Sequence, residues 1–361
     1  MPTSLARPSL ASSALLALSL FAVACTTQVV GGGSGGSGGE PSSSSSSSGS
    51  TSSSSSGSTS SGTPGACADP TVVGLPPSAC KPVSPSCEAN ASLCLATAHA
   101  HGGPSFGLRI AHITLSAPKA LTKGIVKSVF EGAVSPKQPA CGLQNGGTFN
   151  WLMRFDTQTG TLTTGAARPL TAPAQPYAFV KETLTLDGVS FPVAPVTVSA
   201  PLDASCNVAS SEGDVILPFY ENEQAQSFTL FPLRSLSFFD TRLTPDHDCI
   251  GSYNAAGLDP ANGCTPDEVT PQFLDAGSFA AFISLEEADT VQIPLLSQSL
   301  CVLLSGDPGS YGDAGKCLRD AGNEIVWKGD WCSTTNQPAT PGCADAMRFA
   351  GSFAASGVGI D

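Results

Sequence analysis

From Phe106 onward the chain is written in short β-branched and aromatic runs, each closed by Gly, Pro or Asn. They include Phe106–Leu115, Gly124–Phe130, Thr148–Asp156, Val189–Val198, Asp214–Phe219, Ser227–Phe231, Arg234–Leu243 and Gly277–Ile283, with Asn323–Lys328 and Met347–Phe353 near the end. Several alternate apolar and polar residues, as strands with one buried face do. Many short strands at this spacing predict an all-β domain, mainly an antiparallel β-sandwich, over residues 106–361. Phe106-Gly-Leu-Arg109 and Phe231-Pro-Leu-Arg234 each open a run and hint at two related β halves.

One insertion breaks the pattern. Ser284-Leu-Glu-Glu287 reads as a capping box, and Leu295, Leu296, Ser299, Leu300 and Leu303 recur at helical spacing after Pro294, before Gly306. The expectation is one or two short helices within 285–304, held by Cys301.

Cysteine usage bounds the chemistry. Besides Cys25, twelve cysteines occur: Cys67, Cys80, Cys87, Cys94, Cys141, Cys206, Cys249, Cys264, Cys301, Cys317, Cys332 and Cys343. The number is even and no CxxC occurs, so zinc ribbons and thioredoxin-like motifs lose support and six disulfides are expected. Connectivity is open, with the short loops Cys249 to Cys264 and Cys317 to Cys332 as the favoured pairs. Residues 66–105 carry Cys67, Cys80, Cys87 and Cys94 among many prolines, the composition of a small stapled cap.

The first 65 residues belong to delivery. An apolar stretch from Ala11 to Ala24 follows Arg7, the layout of a signal peptide, and its uninterrupted run, Leu15 to Val23 apart from Ser19, is far short of the roughly 20 residues that cross a bilayer as a helix. Residues 31–65 are almost entirely Gly, Ser and Thr, a composition that buries no apolar surface, and the roughly 40 residues counted from Cys25 span roughly 35 Å root-mean-square as a flexible tether.

Between the two, Ala22-Val23-Ala24-Cys25 resembles the lipobox of bacterial lipoproteins, with Ala22 where Leu is commoner. The resemblance implies cleavage after residue 24, lipidation of Cys25 and a linker over 25–65. Thr26 and Thr27 lack the Asp associated with inner-membrane retention, which favours an outer-membrane destination. Thr148–Asp156, Cys249–Asn254, Gly257–Cys264 and Gly329–Cys332 are similar in texture to secreted lipoproteins of myxobacteria. That likeness implies an envelope location and carries over no activity.

A formal net charge of −13 lies wholly beyond residue 65 and makes nucleic acid and anionic membrane surfaces poor partners, leaving membrane attachment to the lipid. No Walker, dinucleotide or protease signature is present, and no cofactor is implied.

His99-Ala-His101, with His112 downstream, could chelate a transition metal, yet Gly102-Gly103-Pro104 marks a loop. Asp246-His247-Asp248 offers carboxylates around an imidazole but follows Thr244-Pro245, as turns do. The loop Ser305–Gly315 holds Asp307 and Asp313 but fails the EF-hand template at Gly309 and Tyr311. Glu286, Glu287 and Asp289 are too close in sequence to flank a glycosidic bond. Trp151, Trp327 and Trp331, with four tyrosines, could form a sugar-stacking face or pack in the core. The leading expectation is a non-enzymatic envelope protein that binds polysaccharide or protein, or serves in structural display. An extracellular hydrolase on glycan or peptide, or a metal binder through His99 and His101, are the alternatives.

Overall fold

The computed structural model describes residues 94–135, 147–170, 175–253, 258–259, 265–266 and 273–361. The expected signal peptide, lipid site Cys25, tether and most of the cap, with Cys67, Cys80, Cys87, Cys141 and Cys264, lie outside the described residues.

The domain is mainly antiparallel β, as the alternating runs predict. Its strands are β1 (Ser105–Ala117), β2 (Asn150–Asp156), β3 (Thr161–Ala167), β4 (Glu182–Leu186), β5 (Val189–Val193), β6 (Val196–Ser199), β7 (Gly213–Tyr220), β8 (Phe228–Phe239), β9 (Gly277–Ser284) and β10 (Ala346–Gly357). The main sheet runs β6-β3-β2-β1-β10-β9-β8-β7, every neighbour antiparallel. It curls until β6 and β7 face each other. There Ser211 N donates to Ser199 O at 2.7 Å and Ser199 N to Ser211 Oγ at 3.1 Å. Gly213 permits this approach, since a Cβ on it would meet Val198 Cγ1 at 2.6 Å.

Prolines mark where pairing stops. Pro218 sits in edge strand β7, and Pro232 lies in the part of β8 beyond its register with β9, so neither interrupts a two-sided ladder. Ala194-Pro195 splits the expected run 189–198 into β5, which pairs only with β4, and β6, which joins the main sheet. The turn between β4 and β5 is Asp187-Gly188, both at positive φ, as a two-residue hairpin turn requires.

Inside the curl, Trp151, Phe149, Phe155, Phe238, Phe279, Phe349 and Phe353 are buried in one cluster. Trp151 meets Phe279 edge-on at 5.2 Å, and its indole N–H donates to Thr164 Oγ1 at 2.9 Å, so the core keeps no orphan there. A second cluster, with Leu152, Ala111, Tyr177 and Val358, covers part of the outer face.

Two runs depart from the sequence reading. Gly124–Phe130, expected as a strand, belongs to helix α1 (Gly124–Val134). Its β-branched residues favour a strand locally, but Val126, Phe130, Ala133 and Val134 share a helical face that packs against the core. No side chain caps its start and no acid stands in its first turn, which is why it gave no start signal. Asn323–Lys328 forms no strand. Asp320 Oδ1 accepts from Gly322 N and Glu324 N, an Asx turn that competes with extension, and only the isolated bridge Arg319–Ile325 remains.

The helical insertion appears as two pieces, α2 (Leu285–Thr290) and α3 (Leu300–Ser305). Ser284 caps α2 by accepting from Glu287 N, and Ser297 at φ 52° interrupts the segment between them.

Every cysteine among the described residues is disulfide-bonded, Cys206 included. The pairs with both partners among the described residues are Cys94–Cys249, Cys301–Cys317 and Cys332–Cys343. Both favoured pairs are therefore corrected: Cys249 joins a partner 155 residues away, and Cys317 and Cys332 each close a different loop. Spacing misled because antiparallel strands bring distant residues to the 5–6 Å Cα separation a disulfide needs.

Candidate functional site

Helix α1 builds the most ligand-like feature. It lies where β2 begins, β7 ends and β8 begins, with Phe130 stacked on Phe219 at 5.8 Å and edge-on to Phe231 at 5.8 Å. Beside it opens a cleft of about 440 Å³, walled by Leu121, Val126, Phe130, Phe219, Phe231 and Ile293. Glu221 is the one charged residue of its lining, and its carboxylate already accepts from Ser227 Oγ. Val129 and Leu296, 53 % and 47 % exposed, add apolar surface to the same lining. Concave, apolar and of this volume, the cleft has the character of a small-molecule site. Sequence reasoning missed it because α1 was read as a strand; the Val126/Phe130/Ala133 spacing was the available signal.

A second cleft of about 410 Å³ lies between β5, β6, β7 and β8 and is lined in part by Asp214, Arg234 and Glu287. Two carboxylates share this cleft, the arrangement a glycosidase would use. Here both serve one cation: Arg234 Nε donates to Glu287 at 3.0 Å and its NH1 to Asp214 at 3.0 Å. The Glu287 hydrogen bonds, outweighing burial and joined by Asp214, push the basicity of Arg234 above its ordinary value. With both carboxylates taken up by one guanidinium, neither is free to face a glycosidic bond from its own side.

The histidine motifs come together as a clasp between two loops. His99 Nδ1 is 2.5 Å from Asp248 Oδ2, and Ala100 N donates to Asp248 Oδ1 at 2.6 Å. Asp246 O accepts from Gly102 N, His247 Nδ1 faces Gly103 O at 3.0 Å, and Phe106 stacks on His247. The Cys94–Cys249 bridge ties the same loops. Residues 244–247 form the expected turn, with His247 N donating to Thr244 O. The His99 and His101 rings lie 5.9 Å apart. Among the described residues, the only groups of three ligand-type atoms within reach of one another are Asp289 with Cys301 and Cys317, and Asp345 with Cys332 and Cys343. Both contain disulfides, whose sulfurs are no longer thiolates.

His112 lies away from the clasp. Its Nδ1 is 2.9 Å from Asp275 Oδ1, Ser352 Oγ donates to Asp275 Oδ2 at 2.6 Å, and its ring stacks on Phe273. The carboxylate stands between serine and histidine, so the imidazole is not placed to activate that hydroxyl. Burial pushes the Asp275 carboxyl up, but the bonds from His112, Ser352 and Thr114 outweigh it and the net shift is downward.

Asp289, buried, accepts from Ser299 Oγ, Cys317 N and Arg319 NH2, while Arg319 also holds Glu286. These acids tie α2 to the Cys301–Cys317 loop. In the loop Ser305–Gly315, Asp307 Oδ1 caps its own turn by accepting from Gly309 N, and Tyr311 donates to Gln298. Trp151, Tyr177, Tyr220 and Tyr253 are buried and Arg348 covers the Trp331 ring, so these rings are packed rather than arrayed as a sugar-stacking face.

Fold and clefts thus define a disulfide-stapled, nearly closed antiparallel β domain with an apolar cleft beside helix α1. Comparison with protein-family models, curated proteins and solved structures found no match to this chain.

Proposed function

We propose that this chain is a lipid-anchored binding protein of the bacterial outer membrane, which takes a small, largely apolar molecule into the cleft beside α1. The observation that carries the binding reading is that cleft: about 440 Å³, apolar on nearly every side, with its one carboxylate already engaged. The anchoring reading rests on Cys25 after the apolar leader and on the Gly/Ser tract that follows. Disulfide bonding of the described cysteines fits an oxidising compartment outside the cytoplasm.

The test is titration of the full chain, kept free of lipid by Cys25→Ser, with the neutral fluorescent probe N-phenyl-1-naphthylamine. Saturable binding at one site is expected, and Val126→Trp, which fills the cleft, should abolish it while the protein still unfolds cooperatively. Probe binding that is absent, or that survives Val126→Trp, would refute the assignment. For location, protease treatment of intact cells should release the domain if the tether faces outward.

A further inference from the structure

The outer face of the sheet holds a second polar site, built around a buried cation. Arg109, on β1, is 0 % exposed, and no carboxylate among the described residues bonds to it. Its Nε donates to Asn150 Oδ1 at 2.6 Å and its NH2 to Val134 O, near the C-terminal end of α1, at 2.8 Å. Among the described residues its NH1 has no hydrogen-bond partner, and neither has Asn150 Nδ2 or the Tyr177 hydroxyl.

Two of these unpaired atoms can only donate, and the third, the Tyr177 hydroxyl, can donate as well as accept. The Asn150 amide is oriented by its oxygen, which accepts from Arg109, so its NH2 is left as a donor. A guanidinium has five N–H donors, no acceptor, and stays charged. Burial pushes the basicity of Arg109 down, with Tyr177 opposing that in part, and Tyr177 packs in the outer cluster with Leu152 and Ala111. Its backbone is fixed by Gly359 O and Asp361 N, which bond to Tyr177 N and Tyr177 O. The α1 carbonyl offsets part of the charge. A surplus of donors around a net positive charge remains, and burial of such a group without a counterion is strongly unfavourable. A water molecule would accept two of these hydrogen bonds, but it would bring two further donors with only the Tyr177 hydroxyl oxygen at hand to receive one, and it would leave the charge uncompensated. An anion brings only acceptors.

We propose that Arg109, Asn150 and Tyr177 bind one small monovalent anion, a halide or a carboxylate, buried between the outer face of the sheet and the segment that carries Tyr177. Bound there, the anion neutralises the buried guanidinium and stabilises the folded state.

Thermal and urea unfolding of the full chain at constant ionic strength tests this, with bromide or formate exchanged for isethionate, a bulkier anion. The unfolding equilibrium constant should fall tenfold for each tenfold rise in the binding anion above its dissociation constant. A response to bromide identifies a halide site, and a response to formate alone a carboxylate site. Asn150→Asp supplies a carboxylate in place of the amide, and in that variant the dependence should vanish. The proposal is overturned if neither anion stabilises the native chain beyond isethionate, or if the dependence persists unchanged in Asn150→Asp.

Discussion

Removing the Cys94–Cys249 bridge should cost this protein more than removing any shorter bridge among the described residues. The three pairs close 155, 16 and 11 residues of chain. On the loop-entropy relation these correspond to ~5, ~3 and ~2.8 kcal/mol of constraint on the unfolded chain. A domain of this size shifts by about 2–4 °C per kcal/mol, so Cys94→Ala/Cys249→Ala should lower Tm by ~10–20 °C and Cys332→Ala/Cys343→Ala by ~6–11 °C. The folded state keeps other ties across the long bridge, such as Thr97 N to Gly357 O and Gly102 N to Asp246 O, so the variant should still fold. Calorimetry of the two double variants, without reductant, gives both values side by side. If the short bridge costs as much as the long one, constraint of the unfolded chain is not what these bridges contribute, and the reasoning fails.

Two further outcomes follow from single acids. Asp289→Asn leaves Arg319 NH2 facing an amide inside the α2 knot and should cost about 2–3 kcal/mol, softened because Arg319 keeps Glu286; Glu286→Gln, at an exposed carboxylate, should cost under about 1 kcal/mol. Urea unfolding of both variants checks the order, and equal losses would count against it. Because the Asp275 carboxyl is held below its ordinary value, its contribution is complete above the unfolded pKa and is lost as pH falls through the folded one, below roughly pH 4. Tm followed from pH 5 to acid should therefore fall less steeply for Asp275→Asn than for the native chain, and parallel profiles would contradict the assignment.

Features encoded within one turn or one strand were legible in the sequence. The alternation in Phe106–Leu115 became β1, the run at Met347–Phe353 became β10, and Ser284 with Glu287 became a working cap. Features made by two local preferences in competition were not. The β-branched residues of 124–130 suggested a strand, and only the packing of Phe130 against Phe219, Phe231 and Phe349 makes the helix the better burial. The cleft was illegible for the same reason, since its walls come from α1, β7, β8 and the segment around Ile293.

What the sequence by itself determined is therefore periodicity: antiparallel strands with one buried face, a capped helical insertion, and an even cysteine complement beyond Cys25. The strand and helix signals sit within a few residues of one another, where backbone sterics and side-chain alternation act, and the cysteine parity is a count that needs no geometry. Tertiary structure alone decided that the sheet curls until Ser199 meets Ser211, that Cys249 pairs with Cys94, and that Arg109 is sealed beside Asn150 without a carboxylate. Each of those depends on register across a ladder. A one-residue slip in β1 would exchange Arg109 with its inward-facing neighbours and remove both the core and the buried cation together.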